Sequence, residues 1–144
     1  MSQSPAAGAV VYAGHDDGSV SLQFDDTLLS DQTLDYDSVP EAEHGGQMRK
    51  LLCASALGCF AGSARAALQT RGATIHHLRG TAQAHTGAGE GGSRVTAIDI
   101  RVEVKVGDGD GDTFAKVEKI LRKGCLITRS LTPGIAVTHE LVRL

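Results

Sequence analysis

Hydrophobic positions change period several times along the chain, and each change predicts an element. Val20, Leu22 and Phe24 alternate with Ser19, Ser21 and Gln23, the pattern of a strand with one buried face. This segment and Ala9 to Ala13 flank His15-Asp16-Asp17-Gly18, a turn signal of the kind that joins antiparallel strands. Gln32 to Asp37 is a third short strand by the same reasoning, and Pro40 followed by Glu41 to Gly46 is a polar connection. The period then shifts. Gly45 to Gly72 contains a stretch, Leu51 to Ala64, without any charge, and only Arg65 interrupts the apolar run before Gln69. Between Leu51 and Leu68 there is no β-branched residue, and Gly72 stands where a helix should stop. A helix apolar on nearly all faces is expected to be buried on several sides. Its length raises a transmembrane reading. Arg65 and the preponderance of Ala, Gly and Ser argue against it.

Beyond the helix, Ala73 to His85 alternates weakly through Leu78, Gly80, Ala82 and Ala84. Val95 to Val106 alternates cleanly, with Ile98, Ile100, Val102, Val104 and Val106 on one face and Asp99, Arg101, Glu103 and Lys105 on the other. These predict two long antiparallel strands joined by a Gly-rich loop. Phe114, Val117 and Leu121 lie at helical spacing, Gly124 ends that helix, and Cys125 opens a short apolar piece reaching Leu131. Pro133-Gly134 is a turn, and Ile135 to Leu144 closes the chain as a strand. The order strands, helix, strands, helix, strand predicts a single α+β domain over residues 1–144, with 1–8 a loose tail.

Composition narrows the function. Aromatics make up 3% with no Trp, and the pI is near 6.0, so the core is aliphatic and nucleic-acid stacking platforms are not expected. Residues 1–48 hold nine acids and no Lys or Arg, whereas the remainder holds 14 bases and eight acids. That asymmetry fits complementarity within a chain, complementarity between two subunits, or a solvated acidic face. MSQSPAAGAV shows neither a basic start nor a long apolar core, so a cytoplasmic location without membrane attachment is expected. In a reducing compartment, cysteines more often do chemistry than hold structure.

Apparent ligand motifs lack their structural context. Gly87 to Gly92 has dinucleotide-fingerprint spacing but lies between two strands, where no helix N-terminus can hold a pyrophosphate. Asp108 to Asp112 imitates a calcium loop, yet its sixth position is Thr113 and its twelfth Lys119; Asp112 is instead expected to cap the second helix. His76 and His77 are adjacent on a strand, so their side chains should take opposite faces. Without a C-x-x-C pair a zinc site is not expected, and neither metal nor organic cofactor is foreseen. No Ser stands in a nucleophile-elbow setting. Three cysteines remain. Cys53 precedes Cys59 by six residues, about 120° around the helix, and is read as packing.

Two motifs carry a resemblance. The small-residue run into Leu57-Gly58-Cys59-Phe60, and Lys123-Gly124-Cys125-Leu126-Ile127 followed by Ser130-Leu131, are similar to the cysteine segments of the OsmC/Ohr family of organic hydroperoxide reductases. The 66-residue separation of Cys59 and Cys125 and the element order from about Ala9 to Leu144 also resemble that family. The resemblance implies an OsmC-like fold, two small antiparallel sheets around a buried central helix, in an intertwined homodimer. It implies a thiol peroxidase in which Cys59 attacks an organic hydroperoxide and becomes a sulfenic acid. Cys125 then forms a disulfide with it, and an external dithiol reduces the disulfide.

The chain departs from the family pattern in two places. No Arg precedes Arg49, where active members supply one from the N-terminal portion, and Arg49 itself stands where they place a Glu, ten residues before the first cysteine. Arg49 and Arg129 are therefore the candidate cations for stabilising a thiolate. The same departures suit an alternative, a dimeric OsmC-like module without peroxidase activity that binds a small ligand. A narrow apolar pocket for the substrate is expected around Cys59, built from Ala56, Leu57, Phe60 and Ala61.

Overall fold

His15 to Gly18 turns the chain back on itself. The His15 amide donates to the Ser19 carbonyl at 2.9 Å, and the Asp17 carboxylate accepts from both the amide and the hydroxyl of Ser19. Strands β1 (Val11–Gly14) and β2 (Val20–Gln23) pair antiparallel across this turn, and β3 (Gln32–Leu34) joins the other edge of β2. The third strand is shorter than expected: Tyr36–Ser38 is a 3-10 turn. There the Ser38 hydroxyl and amide both donate to the Asp35 carbonyl, a local bond that competes with strand pairing. The computed structural model describes residues 9–144, so the tail expected at 1–8 lies outside the described residues. Two compact units make up the chain, one ending at Gly46 and the other spanning Gln47–Leu144.

The second unit begins with α1 (Gln47–Thr70), 24 residues long. It stops at Gly72, whose φ of +79° is unfavourable for any side chain. The Ala73 amide reaches the Leu68 carbonyl and the Gly72 amide reaches that of Gln69, the paired bonds of a Schellman termination. β4 (Ile75–Gly89) and β5 (Gly92–Val106) form a long antiparallel hairpin. The Gly-rich segment is mostly strand, with only Glu90 and Gly91 left to turn. A bulge at His76 breaks the expected alternation, so both His76 and His77 are exposed instead of lying on opposite faces.

After β5 come α2 (Gly111–Leu121), α3 (Leu126–Leu131) and β6 (Ala136–Arg143). Asp110, not Asp112, holds the cap position of α2. Its carboxylate accepts the Thr74 amide at 2.9 Å, which ties the helix start to the residue just before β4. β6 lies parallel to β5, with Arg101 opposite Glu140 and Val102 opposite Leu141. The second sheet, in the order β4-β5-β6, is therefore mixed and not purely antiparallel. The reason is topological: two helices carry the chain back across the sheet before β6 begins, and such a crossover delivers a parallel strand.

The core follows the period-two pattern of β5 closely. Ile98, Ile100, Val102, Val104 and Val106 are all buried and meet Ala56, Phe60, Ala64 and Leu68 of α1, with Val117 and Leu121 from α2 and Leu141 from β6. The four buried α1 residues are four apart, so a single stripe of that helix is sealed. Leu51, Ala54, Ser55, Gly58 and Gly62 on its opposite side are exposed within the chain. By length and composition α1 could also cross a membrane. In this fold its buried stripe lies in one core cluster with the inward face of β5. The molecule is α+β, with two three-stranded sheets, one in each unit, and the three α-helices in the second unit.

Candidate active site

Cys59 lies at the middle of α1, one residue before the buried Phe60. Phe60 is fixed by the β5 face and by the His139 ring of β6, whose centroid is 4.8 Å away. With Phe60 turned inward, Cys59 is rotated to the side of the stripe and is half-buried. Cys125 arrives from the opposite direction. α2 ends after Leu121, and Gly124 at φ +81° redirects the chain, so that Cys125 becomes the cap of α3. Cys125 is 6% exposed. The two thiols are free and meet as hydrogen-bond partners.

The two sulfurs differ in what else they meet. Burial is the main influence on Cys59 and raises its pKa above the ordinary value of 9.0; its bond to Cys125 adds to this, while the backbone amides of Ile127 and Leu126 act against it. Burial also disfavours ionising Cys125. There, however, hydrogen bonds from Cys59, from the Thr128 hydroxyl and from the amides of Thr128 and Ile127 together prevail and lower the pKa. The opposite shifts mean that the pair gives up one proton more readily than a lone thiol and holds the second more tightly. Because the two sites titrate as one unit, the proton can change sulfurs without leaving the pair. Cys59 is mid-helix in α1, yet its sulfur sits against the first amides of another helix. That arrangement was not legible from its position in α1 alone.

The remaining sequence candidates are placed elsewhere. Arg49 is exposed and lies ten residues before Cys59 on the same helix, about 15 Å along the axis. Arg129 is exposed on α3, with its stem beside Gly124. Neither arginine is among the principal influences on either thiol. Cys53 is half-buried, about 9 Å back along α1, and is likewise not among them.

The expected apolar pocket is not built as foreseen. Ala56 and Phe60 are sealed in the core at 0% and 1% exposure, because the same stripe that would line a pocket is the one β5 requires. The Cys59 sulfur meets the Cys125 thiol and the backbone amides of Ile127 and Leu126, and the Leu126 side chain is 70% exposed. A larger cavity of about 680 Å³ lies on the outer face of the second sheet, lined by Thr81, Gln83, Asp99, Arg101, Thr138 and Glu140. Its charged groups already satisfy one another: Arg101 binds Glu103 and Glu140, and Asp99 binds His85 and Thr138. It holds neither thiol. Among the described residues no cluster of His, Cys, Asp or Glu is arranged to hold a metal.

Thr128 and His139 escaped the sequence reading. A signal for Thr128 was present, since Cys125 and Thr128 have the spacing of a capping box with Cys and Thr in place of the usual residues. His139 had no comparable signal, because its neighbours are set by the parallel pairing of β6.

Comparison with known proteins gives the fold independent support. The structure is similar to an OsmC-like protein from Mycoplasma pneumoniae (TM-score 0.67, 17% identity, covering 93% of this chain and 96% of that one). It is also similar to the organic hydroperoxide resistance protein OhrB of Bacillus subtilis (TM-score 0.58, 20% identity, 92% and 96% covered). A third relative is an organic hydroperoxide resistance protein OsmC from Legionella pneumophila (TM-score 0.59, 16% identity, 93% and 95% covered). No curated protein matches the sequence significantly. The family model described as OsmC-like protein matches residues 49–140, from the first turns of α1 through both cysteines into β6, and the chain belongs to that family.

Proposed function

We propose that this protein is a thiol peroxidase that reduces organic hydroperoxides. The observation that carries the reading is the meeting of Cys59 and Cys125, two thiols in hydrogen-bond contact at the start of α3. In the first step the shared proton moves to Cys125, and the Cys59 thiolate attacks the terminal peroxide oxygen. The O–O bond breaks, the alkoxide takes the proton from Cys125 and leaves as an alcohol, and Cys59 is left as a sulfenic acid. In the second step the Cys125 thiolate attacks the sulfenic sulfur. An S–S bond forms, and the departing hydroxide becomes water with a proton from solvent. An external dithiol supplies two electrons and two protons to restore both thiols. The working form in this reading is a cytoplasmic homodimer.

Leu126, whose amide meets the Cys59 sulfur and whose side chain is 70% exposed, offers an alkyl substituent apolar surface to cover, at about 25 cal/mol per Å². Hydrogen peroxide gains nothing from that and gives up hydrogen bonds to water. Cumene hydroperoxide should therefore be reduced faster than hydrogen peroxide, by about tenfold or more, since ~1.4 kcal/mol is sufficient. Peroxide consumption in the presence of a small dithiol tests this, and a preference for hydrogen peroxide would contradict the reading. The distance of Arg49 from the pair favours one alternative, a ligand-binding module without this chemistry. Thiols that react with peroxide no faster than free cysteine would establish it.

A further inference from the structure

Only Ser19 and Thr128 are buried polar side chains among the described residues, and Thr128 is the more deeply buried at 1% exposure. Its Oγ1 accepts the Cys125 amide at 2.8 Å, and it lies 3.4 Å from the Cys125 sulfur and 3.3 Å from the Cys125 carbonyl oxygen. One hydroxyl hydrogen thus has two acceptors within reach. The chain is shaped around this group: a Cβ on Gly124 would stand 2.6 Å from Thr128 Oγ1.

We propose that Thr128 is a positioning residue whose hydroxyl turns toward the Cys125 sulfur when that sulfur is a thiolate and toward the Cys125 carbonyl otherwise. A thiolate is a far better acceptor than a thiol or a disulfide sulfur, because the bond is charge-assisted. The hydroxyl therefore stabilises one protonation state and leaves the others nearly untouched. Resting on the peroxidase reading, this assigns Thr128 to the second step. It keeps Cys125 ionised for attack on the Cys59 sulfenic acid, where the S–S bond forms, the S–OH bond breaks, the Cys125 sulfur is oxidised and the sulfenic sulfur reduced. The ionisable groups that neighbouring elements bring to this end of the unit are Cys59 from α1, His139 from β6 and Arg129 on α3. The Glu118–Arg122 pair of α2 lines a cavity with His139. None of them replaces a hydroxyl within reach of the sulfur.

Full-length Thr128→Val and Thr128→Ser proteins test the assignment, each first checked for a cooperative melt. Thiolate absorbance in the ultraviolet is titrated from acid to alkaline pH without peroxide. In the parent and in Thr128→Ser one thiolate should form below the ordinary cysteine range, and in Thr128→Val its formation should move to more alkaline pH. After a single addition of cumene hydroperoxide, the sulfenic acid trapped by dimedone should persist about tenfold longer in Thr128→Val, the loss expected for one charge-assisted bond. Thr128→Ala takes the place of the valine variant if that protein does not fold. An unmoved titration in the variant lacking the hydroxyl, or a serine variant that behaves like valine, would overturn the assignment. A shifted titration together with a parent inert to peroxide would remove the peroxidase reading and leave the role of Thr128 standing.

Discussion

Two thiols in hydrogen-bond contact make the native state sensitive to pH in a way that can be read from their opposite shifts. Cys125 is held below the ordinary value of 9.0, so its contribution to stability is present above that pH and is lost as pH falls through its folded value. Cys59 is raised above 9.0, so the native state keeps that proton longer than the unfolded chain does, and stability falls as pH rises beyond 9.0. Urea unfolding across the alkaline range should therefore show stability declining above 9.0, and Cys59→Ser should flatten that decline. An equally steep decline in Cys59→Ser would mean that other groups cause it. Gly124 offers a second test at this scale. Alanine there meets both the φ of +81° and the Thr128 hydroxyl, and should cost about 1–3 kcal/mol in the same assay. The resemblance singled out both cysteines, which the structure brings together, and Gly124 was read as a helix stop. Thr128 was not found, because Cys and Thr stand in its capping box where other residues usually mark one.

At the scale of elements, the alternation of β5 was the most legible feature, since every residue expected to face inward is buried. The stripe of α1 that meets it was hidden in a run apolar on all sides. Only the four-residue spacing of Ala56, Phe60, Ala64 and Leu68 marks it, and small residues elsewhere on the helix mask that spacing. Phe60 is the largest side chain in this contact and holds the segment that carries Cys59. Phe60→Ala should destabilise the fold by about 3–5 kcal/mol, measurable by denaturant unfolding. A cost below ~1 kcal/mol would show that α1 does not depend on this contact. The parallel pairing of β6 was not legible. An eight-residue strand reads the same in either direction, and the direction is fixed by how two helices return the chain across the sheet.

For the molecule as a whole, the side of α1 turned away from the core leaves apolar surface open to water. Leu51 is 37% and Met48 51% exposed on a helix whose other side is fully sealed. A homodimer that covers this surface is expected, and sedimentation over about a hundredfold dilution should show no dissociation, as for an obligate interface. A folded monomer throughout the series would contradict it. The central claim nevertheless concerns the thiol pair, and peptide mapping by mass after one equivalent of an organic hydroperoxide tests it most directly. The account predicts a Cys59–Cys125 disulfide with Cys53 still free. A Cys53–Cys59 link, or three thiols that all remain reduced, would contradict it.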